Sequence, residues 1–294
     1  MVNNAPIIVG GCGRSGTTLL RLMLDSHFRI CCGPELKLLV QLAEQARHSV
    51  LGWSAYLERN AGLGEQELWE AYGAAVRALL ETYRRTTNKP RVAEKTPVNV
   101  LVFPSLARML PDAQFVQIIR DGRDVVASLL RQNWADASTG RRPEYTLRAD
   151  AAAAYWVQSI ETGRRLLDEG AGERYWEVVY EELVREPEAA LRELCDFLGE
   201  EWDEGMLRPQ HWGHHYGEDE QQFHGVSLQR PPNPSAIGRY QQDLSPEQLD
   251  QVMQVAGSLL QDLGYLGVGA GGEGPGRGRM EGARLGERSQ VSGQ

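Results

Sequence analysis

IIVGGCGRSGTTLLRLMLDSH, residues 7–27, runs from an unbroken apolar stretch into glycines, then hydroxyl residues, then apolar residues at a different spacing. Ile7 to Val9 read as a buried strand, and Leu19, Leu20, Met23 and Leu24 recur at the interval of one helix face. Strand, glycine loop and helix in succession make a cradle for an anion. Glycines let several backbone N–H groups converge, and the helix adds the partial positive charge of its first turn. Gly11 and Gly16 keep the G-x-x-x-x-G spacing of a nucleotide-phosphate loop, with Thr18 at the usual hydroxyl position. Thr17 stands where that loop carries lysine, and no magnesium-holding Asp on a following strand is evident. Arg14, earlier in the loop, is a substitute cation able to fork two oxygens. Glycines alone fit a tight connection equally well; Arg14-Ser15-Gly16-Thr17-Thr18 opening a helix argues for an anion site.

The same strand-then-helix scheme recurs along the chain. A second strand is predicted around Ile30 to Cys32, followed by a mostly helical region from about 36 to 86. RVAEKTP (91–97) reads as a strand ending in a polar loop, and VLVFPSLARMLPDA (100–113) as a helix stopped by proline. QFVQIIR (114–120) is β-branched and leads through DGRD into the helix VVASLLRQ (125–132). WEVVY (176–180) is a fifth strand, with a proline-marked break and then a helix ending at Gly199. Such alternation implies an α/β fold with a central parallel sheet flanked by helices. Residues 202–243 are expected to be irregular but ordered, and a last helix is predicted from about Pro246 to Leu263. The folded domain is expected to span 1–267, followed by a disordered glycine-rich tail over 268–294.

With 41% hydrophobic and 24% charged residues and a net charge of -9, the composition is that of a mildly acidic globular protein, which disfavours a nucleic-acid partner. No run nears the roughly 18 to 20 apolar residues of a membrane span, and no stretch before the first strand has room for a signal peptide. Cys12, Cys31, Cys32 and Cys195 show no disulfide or zinc spacing, so a reducing, cytoplasmic setting is expected, with no metal and no membrane association. Whether the chain forms a homodimer is left open.

The loop GGCGRSGTTLLRLMLDSH together with FVQIIRDGRDVVASLL resembles the paired signatures of the sulfotransferases. The resemblance continues through CCGPELKLL, EKTP, WEVVYEEL, FLG and HGVSL, covers most of residues 6 to 265, and is nearest to the tyrosylprotein-sulfotransferase-like branch. It implies a P-loop-like three-layer fold and transfer of a sulfonate from 3′-phosphoadenosine 5′-phosphosulfate (PAPS) to a hydroxyl, on a small molecule or a tyrosine-containing peptide. By resemblance, the 5′-phosphosulfate loop is Gly13, Arg14, Ser15, Gly16, Thr17 and Thr18, and the 3′-phosphate motif is Arg120 with Ser128, eight residues later. Glu35 falls where those enzymes carry a catalytic glutamate, and Lys95 where a lysine meets the oxygen bridging sulfur and phosphorus. Tyr180 resembles an adenine contact. Ser227 and Arg239 resemble a later donor-gripping segment, Arg239 as a second 3′-phosphate ligand and Ser227 beside Glu35, Lys95 and Arg14 in the catalytic set.

Other readings stay open on the residues alone. Arg120 can pair with Asp121 or Asp124, and Arg123 can hold the loop internally. His211 or His224 is an alternative base, and Trp202, Trp212 and Tyr216 can line an acceptor pocket or sit in a core. At the level of the whole chain the rivals are a P-loop kinase-like phosphotransferase and a catalytically inactive nucleotide-binding protein.

Overall fold

A computed structural model describes residues 4–135, 140–217 and 233–267 of the chain. Its centre is set by alternation along short apolar strands. In β1 (Ile7–Gly10), Ile8 packs into one cluster while Ile7 and Val9 pack into another. In β4 (Gln114–Ile119), Phe115 joins the first and Val116 and Ile118 the second. In β2 (Ile30–Cys32), Cys31 faces one way and Ile30 and Cys32 the other. Strands apolar on both faces need helices on both faces, as parallel sheets do. With β3 (Arg91–Lys95) and β5 (Tyr175–Val179), the sheet is five-stranded and parallel in the order β2-β3-β1-β4-β5.

The first face is covered by α2 (Leu38–Ala61), α3 (Glu65–Arg84) and α4 (Phe103–Met109). The second is covered by α1 (Thr17–Ser26), α7 (Tyr180–Arg185) and α8 (Pro187–Leu198). A third cluster joins α5 (Gly122–Leu130), α6 (Ala149–Asp168) and α9 (Pro246–Asp262), with Trp156 at its middle. Helix ends follow local chemistry. Asp121 caps α5 by accepting from the Arg123 amide at 2.9 Å, and Ser245 caps α9 in a reciprocal pair with Gln248. Gly199 ends α8 at φ 71°, where a side chain would be strained.

All five predicted strands form. The region 36–86 is two helices separated by the glycines at 62 and 64, and 100–113 begins in the 3-10 helix Pro97–Val102 before α4 starts with Pro104 in its first turn. Tyr180 opens α7 rather than closing a strand. The tail 268–294, Ser227 and His224 lie outside the described residues.

Candidate functional site

β1 lies at the sheet's switch point, with β3 on one side and β4 on the other, where open parallel sheets bind ligands beyond their carboxyl ends. Each of the five strands delivers a candidate there. Glu35 follows β2, Lys95 is the last residue of β3, Arg14 follows β1, Arg120 follows β4 and Tyr180 follows β5. Strand order converts this list into a row, with Glu35 and Lys95 at one end, the glycine loop in the middle and Arg120 with Tyr180 at the other.

The loop is tightly supported. Gly16 has φ 99°, and a Cβ there would lie 2.5 Å from Tyr180 Cδ2; at Gly11 it would lie 2.6 Å from the Ile118 carbonyl oxygen. Gly13 differs, since an added Cβ meets nothing within 4 Å, so the loop is open on that side. Arg14 itself sits at φ 74°, a conformation costing a non-glycine residue about 1–2 kcal/mol. Arg120 Nη1 donates to the Arg14 carbonyl at 3.1 Å, and Arg14 Nε donates to Ser128 Oγ at 3.1 Å. The loop cation and the later Arg120–Ser128 pair are therefore one hydrogen-bonded unit, although 106 and 114 residues separate them.

The chemistry of this unit suits an anion. Burial, and then the like charges of Arg120 and Arg131, depress the Arg14 guanidinium to about 10. An anion between these arginines relieves that repulsion. Among the described residues, Ser15 Oγ and Arg120 Nε are buried without a hydrogen-bond partner and no side chain caps the N-terminus of α1. Orphaned donors at a helix start match phosphate oxygens. The residues thus fit a nucleotide that is anionic at both its 3′ and 5′ ends, such as PAPS.

Arg120 is also braced from below. It stacks 4.6 Å from the Tyr180 ring centre, donates to the Ala236 carbonyl and lies 3.5 Å from Asp124. The pair with Asp124 foreseen as an alternative therefore exists alongside the contact with the loop. Asp124 accepts from the Gly238 and Tyr240 amides at 2.8 and 2.9 Å, pinning the segment that carries Arg239. Arg239 reaches this corner half-exposed, with Nε 3.4 Å from Asp243, which also binds Arg131 at 2.7 Å. Arg123 holds the loop internally, on Asp121 and the Tyr265 carbonyl. Glu181, next to Tyr180, accepts from the Asp121 amide at 3.0 Å and from Tyr265 at 3.1 Å, and burial pushes its carboxyl up to about 7.

At the other end of the row, Lys95 Nζ donates to Glu35 Oε1 at 2.7 Å. Lys95 is fully buried rather than a surface lysine, and Glu35 is 21% exposed. Glu35 lies in the loop three residues ahead of α2, so it is not a helix cap. Among the histidines, His214 is buried between Asp25 (Nδ1 to Oδ2, 2.6 Å) and the Pro209 carbonyl (Nε2, 2.7 Å), whereas His211 is exposed. Trp202 packs beside the second core cluster under Arg192, Trp212 is half-exposed, and Tyr216 lies against Arg21. Among the described residues, no group of three or more His, Cys, Asp or Glu is placed to hold a metal, and no helix is long and apolar enough to cross a membrane.

Sequence reasoning places Asp124 only as a rival partner of Arg120, misses Arg131 and gives Glu181 no role. The clue to Asp124 was in DGRD, an acid one helical turn beyond Arg120; Arg131 and Glu181 carried no local signal.

Residues 6–204 match the model of the sulfotransferase family. A putative protein-tyrosine sulfotransferase of Caenorhabditis briggsae is 28% identical over 263 residues, covering 88% of each chain. Other relatives are longer, and the chain spans 49% of the Drosophila melanogaster protein-tyrosine sulfotransferase, at 25% identity and 87% of its own length. In fold, the sulfotransferase domain from the curacin biosynthetic pathway superposes with a TM-score of 0.60 at 21% identity, covering 88% of this chain and 98% of that one. A mouse sulfotransferase complexed with PAP gives 0.50 at 12% identity, covering 89% and 86%. With two-thirds of its length matching the family model, the chain belongs to the sulfotransferase family.

Proposed function

We propose that this protein transfers a sulfonate from PAPS to a hydroxyl oxygen, with Glu35 as general base and Lys95 acting on the departing phosphate. The observation that carries the reading is the 2.7 Å contact between Lys95 and Glu35 beside a loop already joined to Arg120 and Ser128. Arg14, Ser15 and the start of α1 bind the 5′ end, and Arg120 and Ser128 the 3′-phosphate. The fold shared with a mouse protein complexed with PAP, adenosine 3′,5′-bisphosphate, supports the same donor.

The donor supplies the sulfonate and, in its 5′-phosphate, the leaving group. Glu35 accepts the hydroxyl proton as the acceptor oxygen bonds to sulfur and the bond from sulfur to the bridging oxygen breaks. Lys95, the last residue of its strand and fully buried, offers a fixed positive charge to that bridging oxygen without reorganising. A positioned base contributes roughly 10²–10⁴-fold. The names of the relatives favour a tyrosine phenol on a peptide or protein as acceptor. A small hydroxylated molecule is the competing outcome. A cytoplasmic setting, expected from the sequence, is part of the same proposal.

The test pairs binding with transfer. PAP should raise the melting temperature while ATP with magnesium does not, and labelled sulfonate should reach a tyrosine peptide in preference to simple alcohols. ATP turnover would favour the kinase reading, and PAP binding without transfer to any acceptor the inactive one.

A further inference from the structure

The base has no helix or strand of its own to hold it. Residues 33–37 are irregular, and a side chain on such a loop is placed only as well as its backbone is tied down. What ties it is Glu94, the residue before Lys95. Its side chain is buried inside β3, with the residue 2% exposed, an uncommon place for a carboxylate.

Three donors from three segments converge on Glu94. Oε1 accepts from the Leu36 amide at 3.1 Å, immediately after the base, and from Thr96 Oγ1 at 2.7 Å. Oε2 accepts from Asn99 Nδ2, which also reaches the carbonyl of Val9 in β1 at 3.2 Å. Thr96 Oγ1 in turn lies 3.4 Å from the Lys37 amide, on the far side of Glu35 and Leu36. One carboxylate therefore links the base loop to the end of the lysine strand and, through Asn99, to the strand that carries the glycine loop. Residues 94 and 95 point to opposite faces of β3, so Glu94 holds the backbone next to Glu35 while Lys95 meets its side chain.

We infer that Glu94 is a positioning residue for the general base, fixing the 33–37 loop so that Glu35 stays in register with Lys95 and the acceptor oxygen. Burial raises the Glu94 carboxyl, and its bonds to Thr96, Asn99 and Leu36 oppose that rise. The three donors offset the cost of desolvating this carboxylate only while all three stay in place. Misplacing a reacting group by about 1 Å can cost on the order of 10²-fold in rate, whereas the arginine site at the other end of the row is untouched.

The inference rests on the proposed sulfonate transfer, and a double-mutant cycle separates the two. Glu94→Gln, Glu35→Gln and the double variant are compared with wild type for turnover of labelled PAPS and for the melting shift given by PAP. Glu94→Gln should lower kcat by roughly 10- to 100-fold with the PAP shift retained, and the loss should vanish in the Glu35→Gln background, because the two residues act as one. Leu36 amide exchange should also quicken in Glu94→Gln. An equal fractional loss with and without Glu35, or unchanged kcat, overturns the inference. If wild type itself transfers no sulfonate, the functional reading fails instead, and slow Leu36 exchange in the variant still sinks the structural part. Should Glu94→Gln not fold, Thr96→Val removes one of the same bonds and is put through the same cycle.

Discussion

Glu181 gives the structure a pH dependence whose sign and size can be worked out. Burial lifts its carboxyl from 4.5 to about 7, while the Asp121 amide and the Tyr265 hydroxyl both donate to it. Below about pH 4.5 the group is protonated in both folded and unfolded chains and contributes no penalty. As pH rises from about 4.5 to 7, the unfolded chain releases this proton first and the folded state loses stability; above about pH 7 the penalty is complete. At about 1.4 kcal/mol per pH unit the interval amounts to about 3 kcal/mol. Glu181→Gln keeps the shape, accepts from the Asp121 amide and donates to Tyr265, so it should remove the penalty. Urea unfolding across about pH 4.5 to 8 should show the variant gaining on wild type by up to about 3 kcal/mol, with nearly all of the gain appearing below about pH 7.5. A difference between variant and wild type that stays constant across that window would refute the reasoning.

Substitutions at three further positions probe the candidate anion site. Gly16→Ala forces a Cβ to within 2.5 Å of Tyr180 at φ 99°, and should cost about 1–3 kcal/mol and weaken PAP binding. Gly13→Ala, which meets nothing within 4 Å, should leave the melting temperature almost unchanged; equal destabilisation by both would contradict the loop geometry. Arg120→Ala removes donors from the 3′ end and should weaken PAP by roughly 10- to 100-fold in calorimetry, with Arg120→Lys recovering only part because a point charge replaces a fork.

The strands are legible because short stretches rich in β-branched and aromatic residues, Ile7–Val9 and Phe115–Ile119, run up to Gly10 and to the charged Arg120-Asp121. That the candidate residues gather at one end of the sheet is also legible, since a strand end fixes where the next few residues lie. What escaped depended on distant parts of the chain. Helix α6 carries alanines through much of its buried face, a weak periodic signal, and it was not among the elements read from the sequence. Glu94 looks like one more charge in EKTP until β3 pairs with β2 and brings the loop after β2 over it. Tyr180 was read as a flat surface for a base; in the fold it also braces Gly16 and stacks on Arg120. Arg239 and Asp243 are four residues apart around a single helical turn, so their pairing was readable locally, whereas Arg131 joining them was not.

We propose that the Glu35–Lys95 pair performs sulfonate transfer from a donor held by Arg14 and Arg120. It is tested most directly by incubating the protein with PAPS and a tyrosine peptide and measuring peptide sulfonation by mass spectrometry, beside Glu35→Gln and Lys95→Met. The account predicts transfer by wild type, a loss of about 10²–10³-fold in kcat for each variant, and an undiminished melting shift with PAP in Glu35→Gln. Transfer that is unchanged in both variants would contradict it.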